Sequence, residues 1–184
     1  MPDAPHAVSP YADLDAALLT RVYAQAPARL RRALHGLDES ARQAHPLPGK
    51  WSIQELVVHL ADAEITGAMR IRQAYAEPDP TFPVYDQERW AERMAYQQFD
   101  RPRMDTALRL FELLRATTHP LFENATEADW QKTGYHPERG MITLRDLLEL
   151  YADHGERHLA QILHRRDLMG QPLDLPLLLE TRLY

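Results

Sequence analysis

The apolar positions of this chain recur at helical spacing in four stretches, and few runs alternate apolar and polar residues as a half-buried strand requires. The first stretch runs from Leu14 to Leu37, with Leu18, Val22, Leu30 and Leu34 on one stripe. Pro27 lies inside it and predicts a kink or a split, because proline removes one backbone donor and crowds the carbonyl four residues earlier. A loop with Pro46, Pro48 and Gly49 follows. The second helix has the clearest start: Ser52 as N-cap and Glu55 three residues on make a capping box. Ile53, Leu56, Val57, Leu60 and Ala63 form its apolar face, and it is expected to run to Tyr75 and stop before Pro78.

The segment from Glu77 to Asp100 holds Pro78, Pro80 and Pro83 and reads as a long connection with a short helix around Asp86 to Ala95. The third helix starts near Pro102, a residue favoured at the first helical position, and carries Leu108, Phe111, Leu114, Leu121 and Phe122. Asn124 to Trp130 resembles a capped single turn, and Lys132 to Met141 a loop or small hairpin. Thr143, with Asp146 as box partner, caps the fourth helix. Leu144, Leu147, Leu148, Tyr151, Leu159, Ile162 and Leu163 give that helix a broad apolar face, and Gly170 ends it. Four long helices, with a long connection between the second and third, predict an all-α four-helix bundle. Residues 1–13 read as a flexible tail, 14–170 as the bundle, and 171–184 as a Leu-rich extension. That extension must bury its apolar surface on its own bundle or on a partner subunit.

Composition narrows the chemistry. At 184 residues, 45% apolar and 26% charged, the chain fits one ordinary globular domain. It has no cysteine, which excludes disulfides, thiolate metal sites and a catalytic thiol. A tightly held metal must therefore rely on His and carboxylate. The net charge of −6 offers no basic footprint for nucleic acid. The longest apolar run is far short of the ~20 residues of a membrane span, so no membrane is expected as a partner. The N-terminus lacks the basic and apolar regions of a secretory signal, and a cytoplasmic location is expected. No G-x-S-x-G, Walker loop or G-x-G-x-x-G occurs, which leaves serine-hydrolase and nucleotide chemistry without support.

Three histidines stand out. His154 and His158 are one helical turn apart and leave nearly the same face, which also carries Leu147, Leu150 and Tyr151. His59 lies on its own amphipathic segment, beside Val58 and Leu60. If the two helices pack together, three neutral imidazoles can meet on one divalent metal and leave a coordination position open. The residues alone equally allow the three rings to hydrogen-bond one another, or buried carboxylates, without metal. The H-E-x-x-H protease pattern fails, since Gly155 follows His154 and Glu156 points away. Asp62, one turn beyond His59, is a candidate base or partner for a ligand ring, with a surface or ion-pair role as the competing reading. Arg70 returns to the face of His59 and is a candidate for holding an anionic substrate end, against a structural salt bridge. His136 and Glu138 lie in the loop before the fourth helix as further substrate-binding candidates. Tyr85, Asp86 and Trp90 are candidates to cover the pocket.

The stretches W-S-I-Q-E-L-V-V-H-L-A-D, P-V-Y-D-Q-E-R-W and G-Y-H-P-E-R-G, together with H-G-E-R-H, resemble the DinB-like superfamily, and within it the YfiT-type metal-dependent hydrolases. The likeness spans about Leu18 to Gly170. It implies helices running up-down-down-up and one divalent metal, zinc or nickel, held by His59, His154 and His158. It also implies a homodimer and a small-molecule substrate. The metal activity it implies is activation of water or of a low-molecular-weight thiol, as in hydrolases, bacillithiol transferases and mycothiol-dependent isomerases. Some such relatives carry consecutive histidines where this chain has Gly155, Glu156 and Arg157, a difference expected to alter the pocket rim. The alternatives to an enzyme are a non-catalytic metal-binding stress-response module and a structural bundle with an empty His cluster.

Overall fold

The computed structural model describes residues 10–183; residues 1–9 of the expected tail, and Tyr184, lie outside the described residues. The long helices are α1 (Ala16–Leu34), α3 (Ile53–Ala76), α5 (Arg101–Glu123) and α7 (Leu144–Leu168). Short helices α2 (Glu39–Gln43), α4 (Gln87–Arg93) and α6 (Glu127–Trp130) sit in the connections, with a hairpin of β1 (Thr133–His136) and β2 (Gly140–Thr143) before α7. Both predicted capping boxes form: Ser52 with Glu55 opens α3, and Thr143 with Asp146 opens α7.

Cross-helix bonds give the directions. Arg29–Glu156 and Arg166–Ala33 O align α1 with α7, while Arg165–Trp51 O and Arg70–Tyr151 set α7 against α3. Arg115–Glu64 and Arg72–Thr118 run α5 alongside α3. The four-helix bundle is therefore up-down-down-up, as expected.

Two apolar clusters fill the bundle ends. One is built around Leu30, Leu56, Leu60, Phe111 and Leu159; the other around Tyr23, Ile71, Phe122, Leu147 and Tyr151. Between them lies a polar waist. Arg115, 1% exposed, donates to Glu64 at 2.9 Å, to the Tyr23 carbonyl at 2.9 Å and to the Tyr151 carbonyl at 2.7 Å. The second Glu64 oxygen accepts from the Tyr23 hydroxyl at 2.5 Å. One guanidinium thus ties α1, α3 and α7 together at mid-height.

That contact explains a departure from the sequence reading. Pro27 neither splits α1 nor ends it. The carbonyl Pro27 leaves without a donor is that of Tyr23, four residues back, and Arg115 supplies the missing bond. Two further features escaped the pattern: α2, and the burial of Leu19 ahead of Leu18 on the inner stripe of α1. Glycines allow the close approaches that remain. A Cβ at Gly67 would stand 2.5 Å from the Tyr151 ring, and one at Gly155 would stand 3.1 Å from both Ala26 and Arg115.

The segment after α7 lies back over α1 and α7. Leu175 and Leu179 are buried, and the Leu178 N–H donates to Glu156. The Tyr11 hydroxyl and the Thr181 hydroxyl both donate to Asp153 at 2.6 Å. Arg115→Met is expected to destabilise the protein by about 3–5 kcal/mol in urea unfolding, because Glu64 is left as an unpaired buried charge. A loss below about 1 kcal/mol would show that the waist does not hold the bundle.

Candidate metal centre

Antiparallel packing of α3 on α7 brings the three histidines together at the level of the waist. His59 Nε2 stands 3.1 Å from His154 Nε2, which stands 3.0 Å from His158 Nε2. One ligand atom from each ring falls within 4.8 Å of the others. His59 and His158 are buried, and His154 is half-buried. The Trp51 ring backs His59 with centroids 4.8 Å apart. Behind His158, Nδ1 faces the Gln161 side-chain oxygen at 3.0 Å.

Proton counting tests whether a cation fits. A neutral imidazole has one donor and one acceptor. Gln161 Oε1 only accepts, so His158 carries its proton on Nδ1 and offers a lone pair at Nε2. His154 Nε2 faces the Nε2 atoms of both His59 and His158 and, with at most one proton, can donate to only one of them. Neither His59 Nδ1 nor His154 Nδ1 has a hydrogen-bond partner among the described residues. Three converging lone pairs satisfy a cation better than they satisfy each other. Ligand nitrogens about 2.0–2.1 Å from a tetrahedral zinc stand roughly 3.3 Å apart, close to the spacing of these rings. The donor set, three neutral nitrogens without thiolate, suits a divalent transition metal.

Electrostatics keep the rings in the ligating form. Burial first, and the neighbouring His158 second, push His59 down to about 3. Burial pushes His158 down to about 4, and burial with the two other imidazoles holds His154 well below the ordinary histidine range.

The His154–His158 side opens into a cavity of about 890 Å³, within the size range of small-molecule sites. Arg70, Tyr85, Asp86, His136, Glu138 and Tyr151 line it. Arg70 anchors the connection above the site, donating from Nε and Nη2 to the Pro83 carbonyl and from Nη1 to the Tyr151 hydroxyl. His136 Nδ1 accepts from the Glu138 N–H at 3.2 Å. Burial, with Arg70 and Arg139 nearby, holds its pKa below the ordinary value, so the neutral ring carries its proton on Nε2. Trp90 packs on Tyr85, centroids 4.5 Å apart, and Asp86 caps α4. The Tyr135 backbone pairs with Pro80 and Phe82, fixing the connection to β1.

Asp62 accepts from the Tyr96 hydroxyl at 2.5 Å rather than from an imidazole. Burial raises its pKa, with the Tyr96 bond opposing. Gly155 and Glu156 face the bundle interior, against Arg115 and Arg29, and only Arg157 of that trio reaches the cavity. The sequence reading passed over Gln161, although it is three residues beyond His158 and so on the same face.

A four-helix bundle with a three-histidine group opening on a cavity defines a class of metal-binding helical proteins. Residues 23–162 match the DinB superfamily, and the chain belongs to it. A Bacillus licheniformis protein named as a "putative metal-dependent hydrolase" is 33% identical over 147 residues, covering 79% of this chain and 82% of that one. Bacillus subtilis YfiT, under the same name, is 27% identical over 82% of this chain and 83% of its own. The YfiT structure, described as having an unusual four-helix bundle topology, superposes with a TM-score of 0.78 at 26% identity, over 86% of this chain and 89% of that one. A mycothiol-dependent maleylpyruvate isomerase shares the fold, with a TM-score of 0.63 at 17% identity over 81% of this chain and 61% of the isomerase.

His154→Ala is expected to abolish stoichiometric metal uptake, read by elemental analysis of untagged protein, while circular dichroism keeps its helical signature. Full occupancy in that variant would show that the ligands lie elsewhere. Acid should weaken the metal-free protein. The folded rings titrate below the unfolded value of about 6.5, so the unfolded chain binds more protons as pH falls from 7 to 5. Stability is then lost by up to about 1.4 kcal/mol per pH unit for each ring. Urea unfolding at pH 7, 6 and 5 should show a shallower slope in His154→Leu; an equal slope would contradict the depressed values.

Proposed function

We propose that the protein is a metal-dependent hydrolase of small molecules, with His59, His154 and His158 as its metal ligands. The observation that carries this is the meeting of three Nε2 atoms beside an 890 Å³ cavity. A divalent cation with three imidazole ligands supplies Lewis acidity, enough to bring water or a small thiol to its deprotonated form near neutral pH.

The protein's residues would do the rest. His136, fixed by the Glu138 N–H, offers its Nε2–H to a substrate carbonyl or anionic group, with Arg70 and Arg139 holding that end by charge. Asp62 is the proposed proton acceptor: it lies one turn from His59, and burial raises its pKa toward the range a general base needs. Tyr85, Trp90 and the connection held by Arg70 shield the cavity from water. Zinc or nickel serves, and the protein works in the cytoplasm. Exposed Ile65 and Met69 on α3, with Leu110 and Leu113 on the adjacent α5, support a homodimer.

A second reading uses the same centre: transfer of a low-molecular-weight thiol to an electrophile. The fold shared with a mycothiol-dependent enzyme favours it. Metal-loaded protein assayed on ester and amide panels, with and without bacillithiol, and on bacillithiol with monochlorobimane separates the two. Thiol-independent hydrolysis that falls at least about 100-fold in His59→Ala supports the first reading. Strict dependence on bacillithiol supports the second. No turnover under any of these conditions would favour a non-catalytic metal-binding module.

A further inference from the structure

Gln161 joins the His cluster to the C-terminal segment. Its Nε2 donates to the Leu183 backbone carbonyl at 2.6 Å, while its Oε1 faces His158 Nδ1 at 3.0 Å. A carbonyl oxygen only accepts. The amide nitrogen must therefore be the end at Leu183, and the amide oxygen the end at His158. That oxygen can only accept in turn, so Nδ1 of His158 carries the proton. The direction of hydrogen bonding thus runs one way, from the imidazole through the amide to the backbone, and leaves Nε2 as a bare lone pair facing the other two rings.

The segment that supplies the Leu183 carbonyl is tied to the same turns of α7. Asp153 holds Tyr11 and Thr181, and Glu156 holds Arg29 and the Leu178 N–H. Both carboxylates lie within two residues of a histidine of the cluster, and Asp153 also pairs with Arg157 at the cavity. The histidine-bearing turns therefore anchor the strap that orients Gln161.

We infer that Gln161, oriented by the Leu183 carbonyl, is a positioning residue that fixes the His158 tautomer and so tunes the metal affinity of the site. The inference rests on the proposed metal reading only for its second half, since the tautomer is a property of the metal-free protein. A hydrogen bond accepted from the distal nitrogen orients a ligating imidazole and raises its basicity, and removing such a partner commonly costs 10–100-fold in affinity.

The test uses the full chain with Gln161→Leu and Gln161→Glu. Leucine removes both bonds; glutamate keeps the acceptor for His158 while losing the donor to Leu183. Two readouts are needed: long-range 15N NMR of the metal-free histidines, and zinc affinity by competition with a chromophoric chelator. The wild type should show His158 protonated on Nδ1, and Gln161→Leu a mixture of tautomers with zinc affinity lowered about 10–100-fold. Gln161→Glu should retain the Nδ1–H form, since a carboxylate also only accepts, and lose less zinc affinity than Gln161→Leu. A wild-type His158 protonated on Nε2, or a Gln161→Leu variant that binds zinc as the wild type does, would overturn the inference and leave the metal reading standing. A wild type that takes up no zinc would overturn the metal reading, with the tautomer result still deciding the role of Gln161.

Discussion

Three imidazole nitrogens meet in the middle of a helical bundle, one of them within hydrogen-bond distance of the other two, and hydrogen bonding alone cannot satisfy all of them. His154 Nε2 faces both His59 and His158, with at most one proton to give. Adding a second proton to any one ring would place charge in a buried site, which burial opposes at all three positions. A shared cation removes the conflict, because each neutral ring then presents the lone pair it already has. The geometry of α3 against α7 must be held closely for this to work.

The polar waist holds it. Arg115 bonds to α1, α3 and α7 at once, and Gly155 and Gly67 let the backbones approach to where those bonds form. Buried charge of this kind adds little net stability but penalises alternative packings strongly when one partner is lost. The cavity wall is built differently. Arg70 pins the proline-rich connection through the Pro83 carbonyl, and the hairpin pins it again through Tyr135. The three histidines stand on long helices, whereas the cavity wall combines Arg70 and Tyr151 of those helices with Tyr85, Asp86, His136 and Glu138 from the connections and the hairpin. The connections can vary without moving the bundle, so that part of the wall is free to differ while the histidine geometry stays fixed.

Much of this was legible in the chain. The capping boxes at Ser52 and Thr143 marked both histidine-bearing helices, and the four-residue spacing of His154 and His158 put two rings on one face. Local signals carry that information. What stayed hidden depends on partners distant in sequence. Pro27 predicted a break that Arg115, on another helix, repairs. Arg70 shared the face of His59, but its engagement with Pro83 depends on how the connection folds back. Asp62 was placed near the ligands, yet its partner Tyr96 lies 34 residues away. Gln161 shares a face with His158, but its meaning came only with the carbonyl at the other end of the amide.

X-ray absorption of the zinc- or nickel-loaded protein reads the ligands of the bound ion itself. Three imidazole nitrogens at about 2.0–2.1 Å plus one light, exchangeable ligand are expected, with one imidazole missing from the spectrum of His59→Ala. A shell of oxygens alone, or a spectrum unchanged by removing His59, would contradict that ligand set.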